Sequence, residues 1–367
     1  MILRVLPLHV AAATALFASS AYAVEPPEEG EVFREVAQSD EAALTQESIK
    51  LMSDMVEKNH NGATRMRAFH AKAHGCIHGT FTPDKNRPKK TRFGTFESTT
   101  AFPVWARFSN SSGAVHSDGD ADVLGIALKF IGVTGVHLWP GAAEKSNQDF
   151  IFFSSPSIPT KDARQYVESL KVLDGKESPL HFAFKDLVLP IVAAKGSLHG
   201  GLIVDPAEAQ YWSASPYKLA KNAVKYSVRP CDGQKLQINI KTDKDALRAR
   251  LVEHMNQKSG ACYDFYVQFF TSETETPIED FRKVWQPAKS PFVRVGRLTF
   301  PKQVFDTEKQ NRFCENLSFS PWRSLATQRP LGSLNRMRRA LYESISKVRH
   351  AANNNAPTPE PTSIEVE

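Results

Sequence analysis

Short apolar and β-branched runs separated by turn residues dominate the middle of the chain. Val104 to Phe108, Gly125 to Phe130, Asp149 to Phe153, Ala223 to Arg229, Lys235 to Ile240, Tyr263 to Thr271 and Phe292 to Phe300 each have the length and composition of a strand. Their succession between Cys76 and Phe300 predicts an antiparallel sheet or barrel. Helical periodicity interrupts it. Gln46 to Lys58 places Ile49, Met52 and Val56 on one face, and Lys161 to Val172 and Lys244 to Gln257 also read as helices. The clearest helix comes last: Ser333 is a candidate cap, and Leu334, Met337, Leu341, Ile345 and Val348 recur at spacings of three or four. Strands with occasional helices, not a strict alternation of the two, give an α+β class. Neither Gly-x-Gly-x-x-Gly nor the phosphate-cradling Gly-x4-Gly-Lys-Ser/Thr occurs, which excludes Rossmann and P-loop readings.

The ends have a different character. Residues 1–23 read as a cleaved secretory signal: Arg4, an apolar run from Val5 to Phe17, then Ala21-Tyr22-Ala23. That run is short of the ~20 apolar residues that span a bilayer, and the best later run, Leu187 to Ala194, is shorter still. The expected product is periplasmic or secreted, with no stable membrane span. Residues 24–45 are expected to be a flexible arm, 46–350 the folded domain and 351–367 a disordered tail.

Charge adds little to this picture. The formal net charge is +6, and loss of Arg4 with the signal leaves +5. Basic residues gather between Arg323 and Arg349, but no aromatic-interleaved basic repeat accompanies them, so no nucleic-acid partner is expected. Cys76, Cys231, Cys262 and Cys314 are too isolated for a Cys-x-x-Cys motif. In an oxidising compartment they permit one or two disulfides in any of three pairings, and free thiols are equally compatible.

Two local patterns carry chemistry. Arg67-Ala-Phe-His70-Ala-Lys sets a permanent cation three residues before an imidazole, a relation suited to an acidic cofactor group and a proton acceptor. Arg338 and Tyr342 stand one helical turn apart, and a guanidinium beside a phenol favours the phenolate, a ligand for ferric iron. His74, Cys76 and His78 alternate, so a strand would bring them to one face, where zinc or copper is conceivable.

Five segments in order then carry a family resemblance: Arg67-Ala-Phe-His70-Ala-Lys, Ala106-Arg-Phe-Ser109, Asp122 to Phe130, Asn147 to Phe153 and Arg338-Arg-Ala-Leu-Tyr342. Lys283-Val-Trp-Gln-Pro287 and Val295-Gly-Arg-Leu298 add a sixth match. From about residue 50 to about residue 350 the chain resembles the haem catalases, specifically the short, exported catalase-related peroxidases. The resemblance implies a catalase-like antiparallel β-barrel with surrounding helices, and a C-terminal helix carrying the proximal ligand to haem b (iron protoporphyrin IX). It implies His70 as distal base, Asn147 as distal amide and Ser109 as the hydroxyl bonded to the histidine. It further implies Tyr342 as axial iron ligand, with Arg67, Arg107, Phe152 and Arg338 around the cofactor. The activity it implies is reduction of H2O2 or organic hydroperoxides by an organic electron donor, with weak catalase dismutation. A fatty-acid hydroperoxide isomerase or lyase, and a non-catalytic haem-binding or sensing protein, are the alternatives. The chain departs from the family at the polar stretch Ala71 to Phe81, at Phe69, which stands in place of a smaller aliphatic residue and could restrict peroxide access, and at Ala209 to Tyr217.

Overall fold

The computed structural model describes the chain except residues 1–27, 140–145, 179, 181–187, 237–242, 258–259, 357–358 and 367. The strands are β1 (His60–Asn61), β2 (Thr64–Arg65), β3 (Ala73–Pro83), β4 (Phe102–Asn110), β5 (Leu124–Ile131), β6 (Asn147–Phe153), β7 (Tyr211–Trp212), β8 (Tyr217–Leu219), β9 (Asn222–Pro230), β10 (Gly260–Phe269) and β11 (Val293–Pro301). Eight of them close into an antiparallel barrel in the order β10-β11-β3-β4-β5-β6-β7-β9, sealed by pairing of β9 with β10, and β8 adds to β9.

Side-chain alternation separates two environments. Phe81, Phe108, Phe130, Phe150, Phe152, Tyr226 and Phe265 point inward and are buried. Most of their rings meet edge-on or tilted, with Phe130–Phe150 centroids at 5.0 Å and Phe150–Phe265 at 5.3 Å, and Phe150 stacks on Phe152. Each such side chain stabilises the fold by roughly 1.5–3 kcal/mol on burial. These aromatics pack the interior and leave no room there for a large ligand. The opposite set faces out, in cross-strand rows: Ser109, Gly125 and Phe153; Arg107, Ala127 and Ile151; Trp105, Lys129 and Asp149.

Six helices surround the barrel among the described residues: α1 (Glu41–Lys58), α2 (Ala163–Leu173), α3 (Val188–Gly201), α4 (Ala246–Gln257), α5 (Glu308–Asn316) and α6 (Ser333–Ala352). Leu51, Met52 and Val56 of α1, Val167 and Leu170 of α2, and Leu334, Met337 and Leu341 of α6 form one apolar cluster. The apolar run Leu187 to Ala194 falls largely in α3. Among the described residues, no helix is long and apolar enough to cross a membrane. Both cysteine pairs are disulfides, Cys76–Cys314 and Cys231–Cys262.

The chain ends correct the expectation of loose segments. Glu31 pairs with Lys218 at 2.7 Å, Glu35 with Arg329 and Arg336 at 2.6 and 2.7 Å, and Phe33 is buried. The described residues between 28 and 45 are thus tied down, and α1 starts at Glu41, five residues early, because the Glu41 carboxylate holds the buried Arg336. The tail is likewise part of the fold: Glu360 meets Lys129 at 2.7 Å and Arg323 at 2.9 Å, and Ser363 accepts the Trp105 indole N–H at 3.1 Å. Burying Lys129 and Arg323 demands counter-charges, and Asp149 and Glu360 together supply them. Of the expected strand Lys235 to Ile240, residues 237–240 lie outside the described residues, and Lys235 and Leu236 are not in a strand.

Candidate functional site

His70 stands just ahead of β3 with its backbone at φ +56°, a region that non-glycine residues seldom occupy. Three hydrogen bonds hold it there: His70 N–H to Ser111 O at 3.0 Å, Ala71 N–H to Ser112 O at 3.1 Å, and Arg107 Nη2 to His70 O at 2.9 Å. The ring is fixed by Nδ1 against Ser109 Oγ at 3.0 Å, which leaves Nε2 as the available nitrogen. Gly125 on β5 allows this approach, since a Cβ there would lie 2.6 Å from His70 Cε1. Enclosure by protein and the nearby Arg107 charge lower the imidazole pKa to about 4, so the ring is neutral at pH 7.

Helix α6 faces this part of the wall. The Arg338 guanidinium lies 5.8 Å from the Phe153 ring on β6 and 5.8 Å from the Tyr342 ring on its own helix, and Phe153 is 5.5 Å from the His70 ring. Arg338 is anchored by Asn335 Oδ1 at 3.2 Å. His70, Ala127 and Phe153 on the wall and Tyr342 on the helix are each partly exposed although most of their neighbours are buried. Solvent therefore reaches between barrel and helix, in a cleft with an imidazole on one side and a phenol on the other. Burial raises the nearby Tyr217 phenol to about 12 and pushes Tyr166 up as well.

A cationic cluster flanks the same wall. Arg67 Nη1 donates to Glu315 Oε1 at 2.6 Å, Arg349 Nη1 reaches the same oxygen at 3.2 Å, and Arg107 Nη2 lies 3.9 Å from Glu315 Oε2. Three guanidiniums share one carboxylate, leaving an excess of two positive charges. Desolvation and mutual repulsion lower Arg107 to about 9 and Arg349 to about 10, and Arg107 Nε is buried without a partner. A cluster this underneutralised favours an anionic ligand.

No protein-family model matches the chain, and no curated protein does. Solved structures do. A crystal structure of a fungal catalase superposes with a TM-score of 0.63 at 16% identity, covering 92% of this chain and 70% of its own. Catalase A from Saccharomyces cerevisiae gives 0.62 at 16% identity, covering 92% of this chain and 72% of its own. The fold is the catalase fold.

Set on this catalase-like barrel, the expected site residues divide. His70, Ser109, Arg107, Arg338 and Tyr342 come together at the cleft, and Arg67 joins them through the arginine cluster. Asn147 does not. It pairs with Ile131 at the far end of β6, six residues from Phe153, or about 20 Å at strand rise. There its amide donates to Glu360 Oε2 and Pro361 O at 3.2 and 3.0 Å. The outward positions beside His70 are Ala127, Ile151 and Phe153, so an apolar surface stands where an amide was expected. Phe152 is likewise corrected: it points into the barrel, 5.7 Å from Phe265, and Phe153 faces the cleft. Phe69 packs against the helix cluster. Cys76 is bonded to Cys314, and His74 Nε2 is engaged by Asn110 Oδ1 at 2.8 Å, which removes two members of the conceived metal set. Sequence reasoning missed Glu315, Gly125 and Arg349. Arg349 was within reach, since it follows Tyr342 by seven residues, two turns along the same helical stripe.

Proposed function

We propose that the chain is a haem-dependent peroxidase that holds haem b between the outer wall of β4–β6 and helix α6. The observation that carries this reading is the pairing of a neutral, hydroxyl-anchored imidazole with an arginine-supported phenol across one cleft, beside an arginine cluster two charges in excess. Haem carries two carboxylates, which match that excess, and the unpartnered Arg107 Nε offers a further donor. Tyr342 would be the iron ligand, Arg338 its supporting charge, Phe153 an aromatic wall, and Arg67, Arg107 and Arg349 the carboxylate holders.

When bound, haem supplies a redox-active iron at which a peroxide O–O bond is cleaved. His70 Nε2 accepts the hydroperoxide proton and returns it to the departing oxygen, while Ser109 fixes the ring through Nδ1. Ala127, Ile151 and Phe153 give the distal side an apolar surface that suits an organic hydroperoxide at least as well as H2O2. An organic donor completes the turnover, and slow dismutation follows from a distal side with no amide to guide a second H2O2. The two disulfides support export to an oxidising compartment.

Reconstitution tests this directly. Haem should bind one to one with a ferric tyrosinate spectrum, and Tyr342→Phe, which removes only the phenol oxygen, should lose that spectrum or the haem. Donor oxidation by cumene hydroperoxide should accompany it. Stoichiometric haem with an unchanged spectrum in Tyr342→Phe would refute the ligand assignment, and absence of haem binding would refute the function.

A further inference from the structure

We infer that Glu315 is a built-in counter-ion that shapes the carboxylate-binding site, and that the Cys76–Cys314 disulfide is the positioning device that holds it there. The inference rests on the haem reading above and concerns residues that the catalytic proposal does not use.

Helix α5 has one buried residue, Cys314. Its other ties to the barrel are few: Phe313 lies against Trp105 with ring centroids at 4.9 Å, and Gln310 Nε2 donates to Cys76 O at 2.8 Å. The disulfide therefore fixes the C-terminal turn of α5 to β3, at a residue whose cross-strand partner on β4 is Arg107. The next residue after Cys314 is Glu315. Its carboxylate meets Arg67, Arg349 and Arg107, and its main-chain oxygen accepts from Arg67 Nη2 at 2.7 Å and Arg349 Nη1 at 3.3 Å. Leu317 O takes a second bond from Arg67 Nη2 at 2.9 Å.

Arg67 and Arg349, from distant segments, are thus aimed by one short stretch of chain, and Arg107, which donates to His70 O, is drawn in beside them by the Glu315 charge. Like charges gathered at a partly desolvated site repel, and without a fixed acceptor between them the long side chains would splay toward water. One carboxylate is enough to gather them and still leaves two charges for a ligand. Severing the disulfide should release the acceptor and disperse the arginines, whereas neutralising Glu315 alone should keep the main-chain acceptors and raise the positive potential.

The test compares haem with haem dimethyl ester, which has the same ring and iron but no carboxylates, by Soret titration of the full-chain apoprotein. The ratio of the two affinities reads the carboxylate site alone. In the wild type haem should be preferred. In the Cys76→Ser/Cys314→Ser variant that preference should fall at least tenfold with the ester affinity little changed, and in Glu315→Gln it should rise severalfold. Unchanged ratios in both variants, or a fall in Glu315→Gln, would overturn the inference. Should the double variant not fold, Glu315→Gln decides the counter-ion role by itself. Equal wild-type affinities for the two ligands would also overturn it, while binding of neither ligand would instead remove the haem reading on which it rests.

Discussion

Gly125→Ala adds one methyl group at the most sensitive point of the site. The glycine is the second residue of β5, paired with Ser109 and Phe153 on both sides, so alanine suits the strand. The new Cβ, however, would lie 2.6 Å from His70 Cε1 and 2.7 Å from Nδ1. That is about 0.8 Å inside ordinary carbon contact. The imidazole has little room to retreat, because Ser109 holds Nδ1, and two backbone hydrogen bonds and one from the Arg107 side chain hold the left-handed turn. It must therefore move by most of an ångström and lose its anchor. Misplacing a catalytic group by about 1 Å costs on the order of 10²-fold, within the 10²–10⁴ range for a general acid–base residue. Stopped-flow mixing of the haem-loaded variant with peroxide should show that loss in the second-order rate constant, with haem occupancy retained. Overpacking should lower stability by roughly 1–3 kcal/mol. Gly201→Ala is the control, since its Cβ would meet Ala121 only at 3.4 Å. A Gly125→Ala rate within threefold of the control would show that His70 is not the proton acceptor or is not held as described.

Two further perturbations separate the cleft from its surroundings. Asn147→Ala strips donors from Glu360 and Pro361 and should lower the unfolding free energy by about 1–3 kcal/mol in urea, yet leave the peroxide rate within a fewfold of wild type. A 10²-fold slower peroxide step in that variant would restore Asn147 as the distal amide. His70 titrates near 4 in the folded chain against about 6.5 when unfolded, so the unfolded state takes up the proton first as pH falls. Its stabilising effect is complete above pH 6.5 and declines toward pH 4, by at most about 2.5 kcal/mol at pH 4.5 and less where cleft water reaches the ring. Urea midpoints of apoprotein at pH 7.5 and 4.5 should therefore differ less in His70→Gln than in the wild type, and equal differences would contradict a neutral, desolvated imidazole.

The barrel was legible because strand alternation is a local signal. Phe108, Phe130, Phe150 and Phe265 occupy inward positions that any short apolar run announces, and the closing pair β9–β10 follows once the antiparallel order is set. Tyr342 and Arg338 were legible for the same reason, as neighbours on one helix turn. Positions fixed by register were not. Residues 132–146 separate β5 from β6, so the chain itself does not state which residue of β6 lies opposite Gly125. Pairing of Gly125 with Phe153 carries Asn147 to the far end of the wall, and one step of strand parity exchanges Phe152 for Phe153. Glu315 was hidden for a further reason. It lies 248 residues from Arg67 and 34 from Arg349, and an isolated glutamate in a polar helix announces nothing until the disulfide fixes where that helix ends.

These two kinds of information place stability and specificity in different parts of the molecule. The inward aromatics build the wall whichever residues decorate its outer face, so Ala127 and Phe153 can vary with less effect on folding than Gly125, where the imidazole leaves no room for a Cβ. Rigidity is what lets a strained residue such as His70 keep its left-handed backbone, since the cost of about 1–3 kcal/mol is borne by a scaffold that does not yield. On such a wall the choice of small or apolar residue beside the imidazole sets the shape and polarity of the cleft, and the long-range ties from α5 and the C-terminal segment decide how firmly the opposing charges are held. Low sequence identity to the catalases of known structure is then compatible with a shared barrel, because the pattern that builds the wall is far less demanding than the residues that face the cleft.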